Sequence, residues 1–238
     1  MTLCYFDAFS GVSGDMTVAA LVDAGADPAV ILDGLSSLNT GAEFSFEPAR
    51  RKGISALKFH VRGGEQRAHR HLPQILKMIE ASSLPDIAKQ KAAAVFTRLG
   101  EAEAQTHGVP IEKVHFHEVG AADSICDIAG ACHALALLGV ERIVCSPLNT
   151  GSGTVNTEHG LLPVPAPATS RLLAGAPIYA RGPEAELTTP TGAALMATLA
   201  QSFGPLPAMT LQRCGYGAGD HDFPEHANLL RIMIGEAA

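Results

Sequence analysis

The chain has 238 residues, enough for one large domain or one domain with a small insert. Hydrophobic residues make up 47%, so a sizeable core can be buried and wholesale disorder is excluded. With 17 basic against 24 acidic residues the net charge is −7, and the longest basic run is Arg50-Arg51-Lys52, so no nucleic-acid partner is expected.

No apolar stretch reaches the roughly 18 uninterrupted residues needed to cross a bilayer, so no membrane partner is expected either. The start, Met1-Thr2-Leu3-Cys4, carries no charged or signal-like segment. Cys4, Cys126, Cys132, Cys145 and Cys214 are widely spread and include no C-x-x-C pair. A disulfide framework is not expected, and a reducing cytoplasmic location is.

Leu3 to Phe9 reads as a strand. Ser10 to Asp15 is a turn in which Ser13 caps a helix from Met16 to Ala24, ended by Gly25. Asp27-Pro28 opens a second helix, with Val30, Ile31, Leu35 and Leu38 at helical spacing. Glu43 to Pro48 and Ile54 to Val61 alternate polar and apolar residues, which predicts a β-hairpin insert over about 43–62. Gly63 to Ala68 is a polar connection. Helices are predicted over His69 to Ile79 and Leu84 to His107. A short strand, Val114 to Glu118, leads to an apolar helix over Ala121 to Leu138, closed by Gly139.

Arg142 to Pro147 is another strand. Gly151 to Pro167 is rich in Gly, Pro and Thr and is expected to be irregular. Ala168 to Ala174 is a short helix, and Ile178 to Ala180 and Glu186 to Thr188 are short strands. Pro190 starts a helix predicted to run to about Phe203. Thr210 to Tyr216 and Asn228 to Ile234 close the chain as strands around a Gly-rich turn. The alternation of strands and helices gives an α/β fold, a mixed sheet with helices packed on it.

Four segments combine polar side chains with glycine where a strand meets a helix, the position at which sites form in open α/β sheets. In Asp7-Ala-Phe-Ser-Gly-Val-Ser-Gly-Asp15, Gly11 and Gly14 allow close approach, and Ser10 and Ser13 offer donors to an anion at a helix start. Asp7 and Asp15 are candidates for a base or a metal ligand. Taken alone, the segment reads equally as a Ser-capped tight turn. In His115-Phe-His117-Glu118-Val-Gly-Ala-Ala-Asp123-Ser124-Ile-Cys-Asp127, two imidazoles on one strand face adjoin acids, which suits Ni²⁺ or Zn²⁺. Asp123 and Asp127 share a helix face. In Glu186-Leu-Thr-Thr-Pro-Thr-Gly192, Thr189, Thr191 and Gly192 suit phosphate binding or a well-capped helix start. Gly215-Tyr-Gly-Ala-Gly219-Asp220-His221-Asp222 could wrap a ligand, though a hairpin turn with solvated charges explains it as well. His69-Arg-His71 reads as a solvated helix start or as a collector of metal.

Taken together and in this order, Tyr5-Phe-Asp-Ala-Phe-Ser-Gly-Val-Ser-Gly-Asp-Met16, His69-Arg-His-Leu72, Val114-His-Phe-His-Glu-Val-Gly-Ala-Ala-Asp-Ser124, Leu187-Thr-Thr-Pro-Thr-Gly-Ala193 and Gly215-Tyr-Gly-Ala-Gly219 are more specific. They resemble the nickel insertion proteins of lactate racemase maturation (the LarC family), over nearly all of the chain. The resemblance implies nickel insertion into pyridinium-3,5-bisthiocarboxylic acid mononucleotide. The product would be a nickel-pincer nucleotide with one Ni–C and two Ni–S bonds. It implies a cytoplasmic, lyase-class nickel chelatase that depends on CTP with Mn²⁺ or Mg²⁺. Family members usually continue into a C-terminal domain associated with CTP and oligomerisation. This chain is expected to match the N-terminal half alone and to need a C-terminal half as partner.

Within that resemblance, His115 and His117 with Asp123 or Glu118 would hold nickel in a labile N/O site and pass it to sulfur. Asp7, Asp15, Glu118 or His117 would accept the C4 proton of the ring. The ligand's phosphate would sit at Ser10, Gly11, Ser13 and Gly14, or at Thr189, Thr191 and Gly192. Two other readings are a nickel-binding metallochaperone module without turnover, and a metal-dependent phosphohydrolase using Asp7 and Asp15.

Overall fold

The computed structural model describes residues 1–64, 70–114, 116 and 121–238. Strand β1 (Thr2–Asp7) shows why the fold is layered. Cys4 and Phe6 enter the main core, whereas Leu3 and Tyr5 join a smaller cluster with Val144 and Met233 on the other face. Ser13 then caps α1 (Gly14–Asp23), its Oγ accepting from the Met16 N–H. Asp27 caps α2 (Pro28–Ser36), with Oδ1 accepting from the Ala29 N–H at 2.9 Å.

Strands β2 (Ala42–Arg51) and β3 (Ile54–Gly63) form the expected hairpin. Lys52 and Gly53 both take positive φ, 48° and 80°, the two-residue turn geometry that matches strand twist. The hairpin forms one edge of the main sheet, stitched to it by a parallel pairing of Leu57 with Gly217.

Helices α3 (Leu72–Ala81) and α4 (Asp86–His107) start two to three residues later than the sequence predicts. Pro73 sits in the first turn of α3, after the extended cap His71, and Pro85 is the extended cap of α4, so the helices begin at these prolines. Gly108 ends α4 in the left-handed conformation. Helix α5 (Ala122–Leu137) is buried along most of its length, so it is a core helix and not an amphipathic one. Its polar exceptions, Ser124, Asp127 and His133, therefore stand out.

The remaining elements are β4 (Arg142–Cys145), β5 (Leu148–Asn149), β6 (Thr154–Thr157), β7 (Gly160–Pro163), α6 (Pro167–Leu172), β8 (Ile178–Tyr179), α7 (Pro190–Leu199), β9 (Ser202–Phe203), β10 (Met209–Ala218) and β11 (Leu229–Ala237). The seven-stranded sheet has the order β2-β3-β10-β11-β1-β4-β9. β1 runs parallel to β4 and antiparallel to β11. The sheet is mixed, with the helices packed on it, as the α/β reading requires.

Three expectations need correction. Residues 151–167 are not wholly irregular, because β-branched Thr154, Val155 and Thr157 pair with 160–163 as a small hairpin. The helix from Pro190 stops at Leu199, because the Gln201 N–H bonds the Ile143 carbonyl at 3.0 Å and turns Ser202-Phe203 into an edge strand beside β4. Glu186 makes a single bridge to Gly151 and no strand. Phe116 likewise makes one bridge, to Arg70, and the rest of the strand predicted at 114–118 lies mostly outside the described residues. No described helix is long and apolar enough to cross a membrane. The five cysteines are free, and all but Cys214 are buried.

Candidate functional site

The turn after β1 and the segment before α7 are built to touch. The Thr189 N–H donates to the Val12 carbonyl at 3.1 Å. A Cβ on Gly192 would lie 2.0 Å from that same carbonyl oxygen, so only glycine lets α7 dock on the turn. Gly14 does the equivalent for α5, since a Cβ there would lie 2.5 Å from the Asp127 Cβ and 2.8 Å from its Oδ2. The N-termini of α1, α5 and α7 are thereby drawn together. Each presents the positive end of its dipole.

These three helix starts open onto one cleft of about 360 Å³, within the range of small-ligand sites. Ser13 and Asp15 line it from α1, and Asp123, Ser124 and Asp127 from α5. Thr189, Pro190 and Thr191 line it from α7, Lys58 to Val61 from β3, and Asp220 from beyond β10. Two features anticipated as separate, the first turn and the Thr-Pro-Thr segment, thus form one site. Asp123, the sequence-predicted metal ligand, lines the same cleft.

Lys58 is the main residue that sequence reasoning missed. It stands in an otherwise apolar strand centre, between Leu57 and Phe59, and its side chain is only 7% exposed. Its ammonium pairs with Asp15 Oδ2 and lies 2.9 Å from Asp220 Oδ1. Burial works against that charge, but Asp15 and Asp220 outweigh it and hold the Lys58 pKa above its ordinary value. Burial also works against the Asp220 carboxylate, yet Lys58 outweighs it and lowers the Asp220 pKa. The signal available in the sequence was a lone lysine interrupting an apolar strand.

Asp127 behaves differently. Burial, followed by the charges of Asp15 and Asp123, pushes its carboxyl well above the ordinary carboxylate range, against smaller pulls from Lys58 and from a hydrogen bond donated by the Asp15 backbone N–H. Its Oδ1 is buried with no hydrogen-bond partner. The other carboxylates are committed. Asp15 Oδ1 accepts from the Ser13 hydroxyl, and Asp123 Oδ1 accepts from the Ser124 N–H at 2.7 Å.

Several expected residues stand elsewhere. Asp7 does not line the cleft, and its Oδ2 is held by Arg231 through both Nε, at 3.0 Å, and Nη2. Ser10 is fully buried, with Oγ 2.7 Å from His226 Nε2 and 3.4 Å from Asn228 Oδ1. Gly11 has φ 75° and faces the backbone of Leu187, where a Cβ would lie 2.0 Å from the carbonyl oxygen. Ser10 and Gly11 therefore brace the turn. The Thr189 hydroxyl is engaged as the α7 cap, accepting from the Gly192 N–H at 3.2 Å and pairing with the Thr191 hydroxyl at 3.0 Å. His115, His117 and Glu118, together with His69, lie outside the described residues. Among the described residues, no group of three or more His, Cys, Asp or Glu is spaced to hold a metal ion.

The family model described as nickel insertion protein matches residues 4–238. A Geotalea daltonii protein named for nickel insertion is 48% identical over 241 residues, covering 100% of this chain and 62% of the relative. A Citrifermentans bemidjiense protein, also named for nickel insertion, is 50% identical over 239 residues, with the same coverage. The "Pyridinium-3,5-bisthiocarboxylic acid mononucleotide nickel insertion protein" of Desulfitobacterium hafniense is 48% identical over 239 residues, covering 100% of this chain and 59% of its own length. The chain thus spans about three fifths of the length of the curated relatives it matches. No solved structure matches it. A family match over nearly every residue, with relatives almost half identical along the whole chain, shows that this chain belongs to the nickel insertion protein family.

Proposed function

We propose that this chain takes part in inserting nickel into pyridinium-3,5-bisthiocarboxylic acid mononucleotide, the substrate in the name of the Desulfitobacterium relative. The observation that carries this reading is the cleft itself. It sets three helix N-termini and Lys58 against four carboxylates, Asp15, Asp123, Asp127 and Asp220. The substrate has the matching polarity, an anionic phosphate and thiocarboxylates on a cationic ring. The phosphate fits the helix starts at Gly14 and Thr191, where the dipole stabilises negative charge. The carboxylates face the ring and the incoming Ni²⁺.

Nickel is cargo in this reaction, so its donors must be labile. His115 and His117, with Asp123 on the cleft wall, remain the proposed ligands, because imidazole and carboxylate release nickel to sulfur more readily than a thiolate cage would. The finer parts of the proposal rest on motif resemblance. They are a nickel-pincer product serving lactate racemase, a cytoplasmic lyase-class reaction driven by CTP with Mn²⁺ or Mg²⁺, and a C-terminal half as partner. Homo-oligomer formation belongs to the same set. The placement of Asp7 away from the cleft, paired with Arg231, counts against a phosphohydrolase built on Asp7 and Asp15.

The test is calorimetric titration with Ni²⁺ and with the precursor nucleotide, followed by mass spectrometry of the product with and without CTP. Binding of both and a gain of one nickel by the nucleotide are expected. Lys58→Met and Thr191→Ala should weaken nucleotide binding, and His115→Ala with His117→Ala should weaken nickel binding. Failure to bind either ligand would remove the reading. Binding of nickel without any transfer would favour a metallochaperone module.

A further inference from the structure

Insertion of nickel into this precursor requires a proton to leave. Nickel held by sulfur on ring positions 3 and 5 faces C4, the carbon between them. A Ni–C4 bond forms as the C4–H bond breaks. The electron pair of C4–H becomes the Ni–C bond, the proton goes to a base, and nickel stays divalent, so no oxidant or reductant is needed.

We propose that Asp127 is the base that accepts the C4 proton. This role rests on the function proposed above. The argument is one of availability. Asp127 lines the cleft from a helix that is otherwise core, and its Oδ1 has no hydrogen-bond partner. Asp15 is engaged by Lys58 and Ser13, Asp220 by Lys58, and Asp123 by the start of its own helix. Among the described cleft carboxylates, Asp127 alone keeps a buried oxygen with no other claim on it. Gly14 fixes its place, because α1 packs directly against the Asp127 side chain.

The titratable groups that line the cleft with Asp127 are Asp15 from α1, Lys58 and His60 from β3, Asp123 from its own helix and Asp220 from the loop after β10, of which Asp15, Asp123 and Lys58 act on its charge. In the empty cleft, burial and the neighbouring acids raise the Asp127 pKa well above the ordinary carboxylate range. A dication and a pyridinium ring oppose that field and favour the carboxylate form. What remains is a carboxylate whose Oδ1 has no hydrogen-bond partner, free to take a proton from carbon.

The experiment is a single-turnover reaction of this chain, combined with the C-terminal half of a full-length relative, with Ni²⁺, CTP, Mn²⁺ and precursor carrying deuterium at C4. Wild type should release the deuterium with a primary isotope effect and a rate that rises with pH. Asp127→Asn should still bind Ni²⁺ and precursor and show nickel–sulfur absorption. It should form the nickel–carbon bond about 100-fold more slowly or worse, the usual scale of a general base. Asp127→Glu should recover part of the rate with a displaced pH profile, and it carries the test if the Asn variant fails to fold. An Asn variant with wild-type rate and pH profile would overturn the assignment and leave the proposed function standing. Loss of precursor binding together with the rate would overturn it too, making Asp127 a positioning residue. A wild-type chain that, with the C-terminal half present, binds both ligands but releases no C4 deuterium would overturn the proton abstraction itself. A chain that binds neither would sink the function itself.

Discussion

The turn after β1 has two sides, and they handle charge in opposite ways. On one side, Asp7 meets Arg231 one to one, and Ser10, His226 and Asn228 satisfy one another. On the other side, Lys58 serves both Asp15 and Asp220, while Asp123 and Asp127 have no described cation of their own. Both sides come from the same short Gly- and Ser-rich stretch. The first is closed by its own chain. The second carries surplus negative charge beside three helix N-termini, an arrangement that costs stability unless a ligand completes it. A balanced pair holds the fold together, whereas an unbalanced cluster marks the place where something is meant to bind.

Substitutions can break or sharpen this contrast. The largest effect is expected from Gly192→Ala, which pushes a methyl into the Val12 backbone that joins the two sides. It should cost about 3 kcal/mol or more in denaturant unfolding, because backbone on both sides cannot yield. Lys58→Met should cost about 2 kcal/mol, as removing a buried cation strands Asp15 among other acids. Arg231→Met on the closed side should cost only about 1 kcal/mol, since that ion pair is partly exposed. Equal losses for Lys58 and Arg231 would erase the distinction between the two sides.

Smaller still is the effect of Asp127→Asn, and its sign is the informative part. The folded-state pKa of Asp127 is raised, so its stabilising contribution is complete below the ordinary carboxylate range and is lost as pH rises through the folded value. The Asn variant escapes that loss. It should melt higher than wild type at neutral pH and lose this advantage in acid, as followed by circular dichroism. Lys58 shows the corresponding behaviour at the alkaline end. Its raised pKa gives stability that is present below the ordinary lysine value and fades as pH climbs through the folded one.

Much of the fold was legible in the residues. Ser13 and Asp27 announced their helices, Gly108 and Gly139 closed theirs, and alternation over 43–62 foretold a hairpin, because capping and period-two patterning are local effects. Ser202-Phe203 was misread as helix because only its partner β4, some sixty residues away, makes it a strand. The candidate site was half legible in the same way. The first turn, Asp123 and the Thr189 to Gly192 segment could each be named, but Asp7, Ser10 and Gly11 look no different from Asp15, Ser13 and Gly14 on paper.

By itself the sequence determined the α/β class, the capped helix starts and the family, because these depend on local chemistry and on the order of motifs. Only the tertiary structure decided which side of the turn faces the cleft. Only it brought Lys58, Asp127 and Asp220 from three distant parts of the chain into one cleft. The reason is physical. Helix caps act within one turn, whereas the field on a buried carboxylate is set by whatever packing places around it, at any distance along the chain.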